Sequence, residues 1–327
     1  MTLRLTASTD GIAEAARLLR AGGLVAFPTE TVYGLGADAT DSAASARIYA
    51  AKGRPSFNPL IAHVAETDAA LREGVFNPDA LALARAFWPG PLTLVVPVKA
   101  GGTVSELSRA GLGSVGLRVP SHPVARALLA AVVRPVAAPS ANRSGHVSPT
   151  SAAHVISDLD GRVDAILDGG SSEVGLESTI VACEDNRTVL LRPGSITREA
   201  IAEVIGRLPE LTDDSDHAAP RSPGRMLAHY APKTPIRWYD GRRIFPTDAL
   251  LTFGSQAVDG ADDTRAVQNL SPSGNLVEAA ANLYSSLRML DKAGASAIVV
   301  APIPRNGLGE AIHDRLTRAI APAGVGE

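Results

Sequence analysis

The chain has 327 residues, 45% of them hydrophobic and 20% charged, and a formal net charge of -3. That length exceeds the size at which one hydrophobic core usually stops growing, so two domains are expected. The composition excludes a disordered or collagen-like chain, and the near-neutral charge gives no global attraction to a phosphate backbone, so any nucleic-acid contact would need a local basic patch.

The single cysteine, Cys183, rules out an internal disulfide and a four-cysteine zinc site and fits a reducing compartment, so a cytoplasmic location is expected. MTLRLTASTDG lacks the apolar core of a signal peptide. No stretch of about 18 apolar residues runs without charge or proline, so no membrane association is expected.

In chain order, DGIAEAARLLRAGG puts Ile12, Ala15, Ala16 and Leu19 at helical spacing, with Asp10 as the expected cap and Gly22-Gly23 as the stop. LVAFP then reads as a buried strand. The next helix opens at Asp41 and closes near Gly53, where Pro55 and Pro59 forbid its continuation. Its last turn carries Lys52, with Arg54 two residues on. Cations there complement the negative end of the helix dipole, and that reading suffices if they are taken alone.

NPLIAHV reads as a strand, NPDALALARAFWPG as a helix with Asn77 as cap and Pro78 at its first position, and TLVVPV as a strand. The alternation continues with strand SVGLRVP, helix HPVARALLAAV, strand RPVAAPSAN, helix SPTSAAHVISDL, strands VDAILDGG, STIVAC and TVLLRPG, and helix TREAIAEVIG. This is the pattern of an α/β fold, a mixed sheet flanked by helices. After Leu208 the acidic, proline-bearing PELTDDSDHAAPRSPG loses periodicity and reads as a linker. Beyond it, strands PIRWYD, ALLTFG and AIVVAPIP with helices NLVEAAANLYSSLRMLDKAG and GLGEAIHDRLTRAI make a smaller α/β domain. The expected division is 1–207, a linker at 208–233, and 234–327.

Ligands of α/β sheets sit at strand ends, and polar residues gather there. FPTETVYGLG offers Thr29, Thr31 and Tyr33 beside Gly34 and Gly36, in what reads as a turn-rich loop. No Walker loop and no complete dinucleotide G-x-G-x-x-G follows a strand. PSANRSGHVSPT sets Ser140, Asn142, Ser144 and Ser148 before a helix, where they can bind an anion or, in the case of Ser148, simply cap it. Arg118 lies inside an apolar strand and requires a partner, either an acid such as Glu30 or Glu177 or an anionic ligand. Histidines 63, 146, 217, 229 and 313 show no metal-ligand spacing, so no protein-held metal is expected, although His63 at a strand end could donate to a ligand. Ser, His and Asp occur without G-x-S-x-G, and Cys183 in an apolar strand reads as core.

Taken together, PTETVYGLG, KGRPSFNPL, GSVGLRVP, PSANRSGHVSPT, ESTI, LRPG and SPGRMLAHYAPKTPI resemble the L-threonylcarbamoyladenylate synthases of the two-domain kind. The resemblance covers essentially the whole chain. It implies a YrdC-like twisted mixed sheet over 1–207, a lid-like linker over 208–233 and a Rossmann-like C-terminal domain over 234–327. The most diagnostic pairing is K-x-R, here Lys52 and Arg54, with S-x-N, here Ser140 and Asn142.

The implied reaction joins L-threonine, bicarbonate or CO2 and ATP into threonylcarbamoyl-AMP with release of pyrophosphate, and Mg²⁺ accompanies the ATP phosphates. A tRNA threonylcarbamoyltransferase complex would then receive the product. Carried over by motif, Lys52, Arg54 and Asn142 are catalytic, and Thr31, His63, Arg118, Ser178 and the backbone at Ala138 bind threonine. Arg54, Asn58, Ser114, Ser140, Ser148, Arg192 and Tyr230 bind ATP. Lys52 and Arg54 then face phosphate and carbamate rather than solvent. The family pattern has a basic residue directly before the His-Tyr pair, where Ala228 stands here with Arg225 nearby as a compensating cation. Two other readings stay open: double-stranded RNA binding as a secondary role, and a carbamoyl-transfer role like that of the related domain in hydrogenase-maturation proteins, whose zinc-finger and acylphosphatase-like regions this chain lacks.

Overall fold

The computed structural model describes residues 1–184, 187–212 and 229–321. The strands are β1 Leu3–Thr6, β2 Val25–Phe27, β3 Gly34–Asp38, β4 Ile61–His63, β5 Leu92–Pro97, β6 Ser114–Arg118, β7 Val136–Ala137, β8 Ala165–Asp168, β9 Thr179–Glu184, β10 Arg187–Arg192 and β11 Glu210–Leu211. Among the described residues they form one sheet in the order β1-β8-β2-β3-β7-β4-β6-β5-β9-β10-β11. Both parallel and antiparallel pairs occur, for example β4 with β6 and β5 with β6. The mixed directions expected from the sequence are present.

Alternation along the strands sends side chains to both faces, and helices cover each. On one face Val25, Phe27, Val136 and Leu167 pack against Ala15 and Leu19 of α1 (Thr9–Arg20) and Leu128 and Leu129 of α5 (Pro123–Val132). On the other, Ala26, Leu35, Ala62 and Leu117 meet Ile48 of α2 (Ser42–Lys52), Leu83 of α4 (Pro78–Phe87) and Val155 of α6 (Ala152–Leu159). Each such leucine or isoleucine contributes on the order of 1.5–3 kcal/mol through burial. Two further helices, α3 Thr67–Glu73 and α7 Arg198–Ile205, complete this layer.

The caps expected from the sequence hold at α2 and α4 and are corrected at α1 and α6. Asp41 caps α2 and Gly53 closes it in the left-handed conformation; Asn77 caps α4 with Pro78 at its start. The cap of α1 is Ser8, whose hydroxyl accepts from Gly11, so the helix starts before Asp10, and Asp10 serves the first turn as a favourable charge. The cap of α6 is Ser151, not Ser148. The stretch read as a turn-rich loop ends in a strand: β3 begins at Gly34 and lies antiparallel to β2. Gly36 is needed there because a Cβ would lie 2.9 Å from Phe27 Cε1 and 3.1 Å from Val136 Cγ1.

The second unit has strands β12 Ile236–Trp238, β13 Ala249–Thr252, β14 Ala266–Asn269 and β15 Ile298–Val300, all parallel, in the order β12-β15-β13-β14. Helices α8 Leu276–Asp291 and α9 Leu308–Ile320 accompany them. Its core does not end at the unit: Val32, Val147 and Leu176 of the large unit join Leu283, Tyr284 and Leu316 in one cluster. Gly175 lies so close to α8 that a Cβ would meet Ala280 O at 2.5 Å. The ion pairs Arg288–Asp158 (2.6 Å) and Arg198–Glu310 (2.9 Å) add polar ties. Glu210 and Leu211, read as the start of the linker, pair in parallel with β10 as an edge strand. Arg225 and Ala228 lie outside the described residues.

Candidate active site

The carboxyl end of α2 brings its cations inward. Lys52 is 4% exposed, and its ammonium donates to Ser140 O and Asn142 O, both at 2.5 Å. Ser144 N in turn bonds Lys52 O at 2.9 Å, so K-x-R and S-x-N are tied together by backbone and side chain alike. The αL turn at Gly53 redirects the chain, and Arg54 folds back to donate to Asn58 O and Pro59 O. Burial and then Arg54 push the Lys52 pKa well below the ordinary lysine value, and burial brings Arg54 down to about 10. Neither is a solvated dipole cap.

Next to them lies a cavity lined by Thr31, Val32, Arg54, Ile61, His63, Arg118, Ala138, Pro139, Ser140, Glu177, Ser178, Arg192, His229 and Tyr230. All five residues assigned to threonine from the sequence are on this wall, with Arg54, Ser140, Arg192 and Tyr230 of the ATP set. Strands β4 and β6 run in parallel, with His63 directly opposite Arg118, which puts both at the same strand end. Arg118 donates to Glu30 Oε1 at 2.6 Å and to Gly90 O, and among the described residues its Nη1 makes no hydrogen bond. The two partner types foreseen for this arginine are therefore compatible: the acid is Glu30, and one nitrogen is left over. Glu30 is fixed in turn by Ser121 N and His122 N, and Arg118 lowers its pKa against the opposing effect of burial.

His63 bonds Ile61 O through Nδ1, and burial, helped by Arg118, holds its pKa down to about 3. It is a neutral hydrogen-bonding group throughout the physiological range. Thr31 shares a hydrogen bond with Thr29 (2.8 Å), and Ser178 with Thr93 (2.7 Å). Arg192 holds Ser178 O at 2.9 Å and its hydroxyl at 3.2 Å.

Five of the residues assigned from the sequence do not line this cavity. Lys52 and Asn142 stand behind Ser140. Asn58 is fully buried under Arg54. Ser114 borders a small cleft with Pro59, Leu60, Arg109 and Leu112 that shares Ile61 with the main cavity. It lies at the end of β6 away from Arg118, roughly 13 Å off at the rise of an extended strand. Ser148 donates to Glu177 Oε1 at 2.5 Å.

Several buried polar atoms have no partner among the described residues: both side-chain atoms of Asn58, Oδ1 of Asn142, Nδ1 of His229 and the hydroxyl of Tyr230. Such groups are costly unless something satisfies them. Glu177 and His229 are wall residues that sequence reasoning did not assign to the site. Glu177 is adjacent to Ser178 in ESTI, and His229 to Tyr230 in the His-Tyr pair, so both signals were in view.

Among the described residues the site offers cations and hydrogen-bond donors but no activated nucleophile. Cys183 is 1% exposed, with burial pushing its thiol up to about 12, and belongs to the core. Among the described residues no group of three or more His, Cys, Asp or Glu side chains is placed to hold a metal ion, and no helix is long and apolar enough to cross a membrane. Fold and site together define an α/β protein with a cavity at its strand ends lined by arginines and hydrogen-bonding side chains.

The Sua5/YciO/YrdC family model, described as "Telomere recombination", matches residues 17–194, and that of the "Threonylcarbamoyl-AMP synthase, C-terminal domain" matches 196–321. The threonylcarbamoyl-AMP synthase of Bacillus subtilis is 42% identical, covering 98% of this chain and 95% of that protein; that of Pyrococcus abyssi is 40% identical, covering 93% and 92%. A crystal structure of P. abyssi Sua5 complexed with L-threonine superposes with a TM-score of 0.85 at 36% identity, covering 98% of this chain and 97% of that one. The chain belongs to the Sua5/YciO/YrdC family, in the two-domain form that carries the threonylcarbamoyl-AMP synthase C-terminal domain.

Proposed function

We propose that this chain makes L-threonylcarbamoyl-AMP from L-threonine, bicarbonate or CO2 and MgATP, with release of pyrophosphate, in the cytoplasm. The product would pass to a tRNA threonylcarbamoyltransferase for the N6-threonylcarbamoyladenosine modification. One observation carries the reading: Arg54, Arg118 and Arg192 converge on a single cavity with Thr31, His63 and Ser178, and Lys52 is buried directly behind it.

In this assignment Arg118 takes the threonine carboxylate with the nitrogen that Glu30 leaves over. Thr31, His63 and Ser178 take its hydroxyl and amine, and the backbone at Ala138 helps to position it. Residues 1–207 act as the catalytic unit and 234–327 as a second domain, joined by the 208–233 segment. ATP extends from the cavity toward Asn58 and Ser114, with its phosphates near Arg54, Ser140 and Arg192. Ser148 supports that wall through Glu177, and Tyr230 closes the opposite side.

The threonine nitrogen, as the free amine, bonds to the carbon of CO2 and gives up a proton to water, or to that of bicarbonate with loss of water, giving a carbamate. A carbamate oxygen then bonds to the α-phosphorus as the bond to the bridging oxygen breaks and pyrophosphate departs with its electron pair. Neither step needs a protein nucleophile. Both need alignment and positive charge where negative charge concentrates, which Lys52 and Arg54 supply and Asn142 supports. Mg²⁺ arrives on the ATP phosphates as part of the substrate.

Mass spectrometry of the products formed from threonine, carbon-13-labelled bicarbonate and ATP tests the reading. An adenylate carrying one labelled carbon and the threonine nitrogen is expected. Formation of unlabelled threonyl-AMP, or of no adenylate by folded protein, would refute it.

A further inference from the structure

The second domain supports the cavity wall from behind, through Arg315 and Tyr284, which touch the wall residue Glu177. Glu177 belongs to the large unit, yet two of its three side-chain partners do not. Oε2 accepts from Arg315 Nε of α9 and from the Tyr284 hydroxyl of α8, each at 2.8 Å, while Oε1 accepts from Ser148. Arg315 is 1% exposed and each of its three nitrogens has a partner: besides Nε on Glu177, Nη1 meets Asp314 at 2.5 Å and Nη2 meets Pro193 O at 3.0 Å, and its guanidinium stands 5.1 Å from the Tyr230 ring centre. Tyr230 stacks on Tyr284 with ring centres 5.8 Å apart. It adopts a φ of 65°, uncommon for a side chain of this size, with these two neighbours packed against its ring.

Glu177 is a peculiar presence in a site for anions. Burial would raise its pKa, but Arg315 and then Arg192 overcome that and hold it down to about 2, so the carboxylate is charged at neutral pH. Left uncompensated, it would attract Arg192 away from Ser178 and repel an incoming phosphate.

We propose that Arg315 is a positioning residue of the active site: the second domain reaches behind the cavity wall to neutralise Glu177, which keeps Arg192 on Ser178 and keeps the cavity positive toward ATP. Tyr284 shares the task by holding the same carboxylate oxygen and backing Tyr230. The second domain is thereby part of the anion site's electrostatics, and the inference rests on the placement of ATP phosphates near Arg54 and Arg192.

The test is calorimetric titration of the full chain with a non-hydrolysable ATP analogue, together with KM for ATP and kcat, in the wild type and in Arg54→Ala, Arg192→Ala, Arg315→Met, Arg315→Lys, Glu177→Gln and the Glu177→Gln/Arg315→Met double variant. Arg315→Met is expected to weaken ATP affinity on the order of a hundredfold, as breaking a buried pair leaves a bare charge. Arg315→Lys keeps the charge and should lose less than about tenfold. The double variant removes both charges and should recover to within about tenfold of wild type, a rescue that a merely structural contact would not give. If Arg315→Met does not fold, the lysine and double variants carry the same comparison. An unchanged affinity in Arg54→Ala and Arg192→Ala would overturn the phosphate placement and this inference with it. Weakening in those two, combined with a double variant no better than Arg315→Met or still more than about tenfold weaker than wild type, would overturn the Arg315 role alone.

Discussion

Asn58 offers the sharpest separation of function from stability. Its side chain is fully buried, and neither amide atom has a partner among the described residues. Its backbone is well used, with the carbonyl accepting from Tyr49 and Arg54. Replacing the amide by leucine, close to it in shape, removes two desolvated polar groups. Each unsatisfied group costs about 1–3 kcal/mol. Asn58→Leu should therefore stabilise the ligand-free protein, with a rise in Tm of about 2–4 °C per kcal/mol recovered in a unit of roughly two hundred residues. If the amide serves ATP, the same variant should lose most of the thermal shift that ATP gives the wild type. Differential scanning calorimetry with and without ATP reads both effects. A variant less stable than wild type that keeps its full ATP-induced shift would refute the reasoning on both counts.

Three other expectations are simpler. Gly36→Ala forces a methyl against Phe27 and Val136 at the centre of the sheet, so chemical denaturation should show a loss of about 1–3 kcal/mol. His63 and His229 are held neutral, each with its pKa down to about 3, by burial above all, whereas in the unfolded chain they protonate near pH 6.5. The unfolded state then binds more protons below pH 6.5, so the contribution of these two histidines is full above that pH and is lost as pH drops from 6.5 toward 3; its slope approaches about 2–3 kcal/mol per pH unit for the pair, and urea unfolding across pH 4–8, in the wild type and with both histidines replaced, measures it. Serine keeps the hydroxyl but loses the threonine methyl, so its kcat/KM should be about 10–200-fold lower, and equal use of the two amino acids in the pyrophosphate assay would contradict the pocket assignment.

Much of the architecture was legible because local chemistry and tertiary structure agree. Asp41, Asn77 and Gly53 do at α2 and α4 what their side chains, or the lack of one, favour. Where the two diverge, reading failed for identifiable reasons. Gly34–Asp38 lacks the β-branched residues that mark a strand, and it is one because glycine lets Phe27 and Val136 close over it. Ser8 and Ser151 outcompete better-looking caps because the chain enters each helix at those residues. β14 and β11 are edge strands whose residues carry little apolar signal.

The site was legible as motifs but not as geometry. That Lys52 and Arg54 turn inward depends on the αL turn at Gly53 and on the carbonyls of Ser140 and Asn142, some ninety residues on along the chain. Glu177 was visible only as one of two acids for Arg118. Its real partner, Arg315, lies 138 residues away on the other unit, a pairing that no local pattern announces.

The most direct test of the central claim, that the helix-end cations are catalytic, is pyrophosphate release with ATP, Mg²⁺ and bicarbonate, with and without L-threonine, in the wild type and in Lys52→Ala and Arg54→Ala. The account predicts release that depends on both threonine and bicarbonate and falls at least about 100–1000-fold in either variant, the loss seen when a charge-stabilising group is removed. Release unaffected by threonine, or variants that fold and retain wild-type rates, would contradict it.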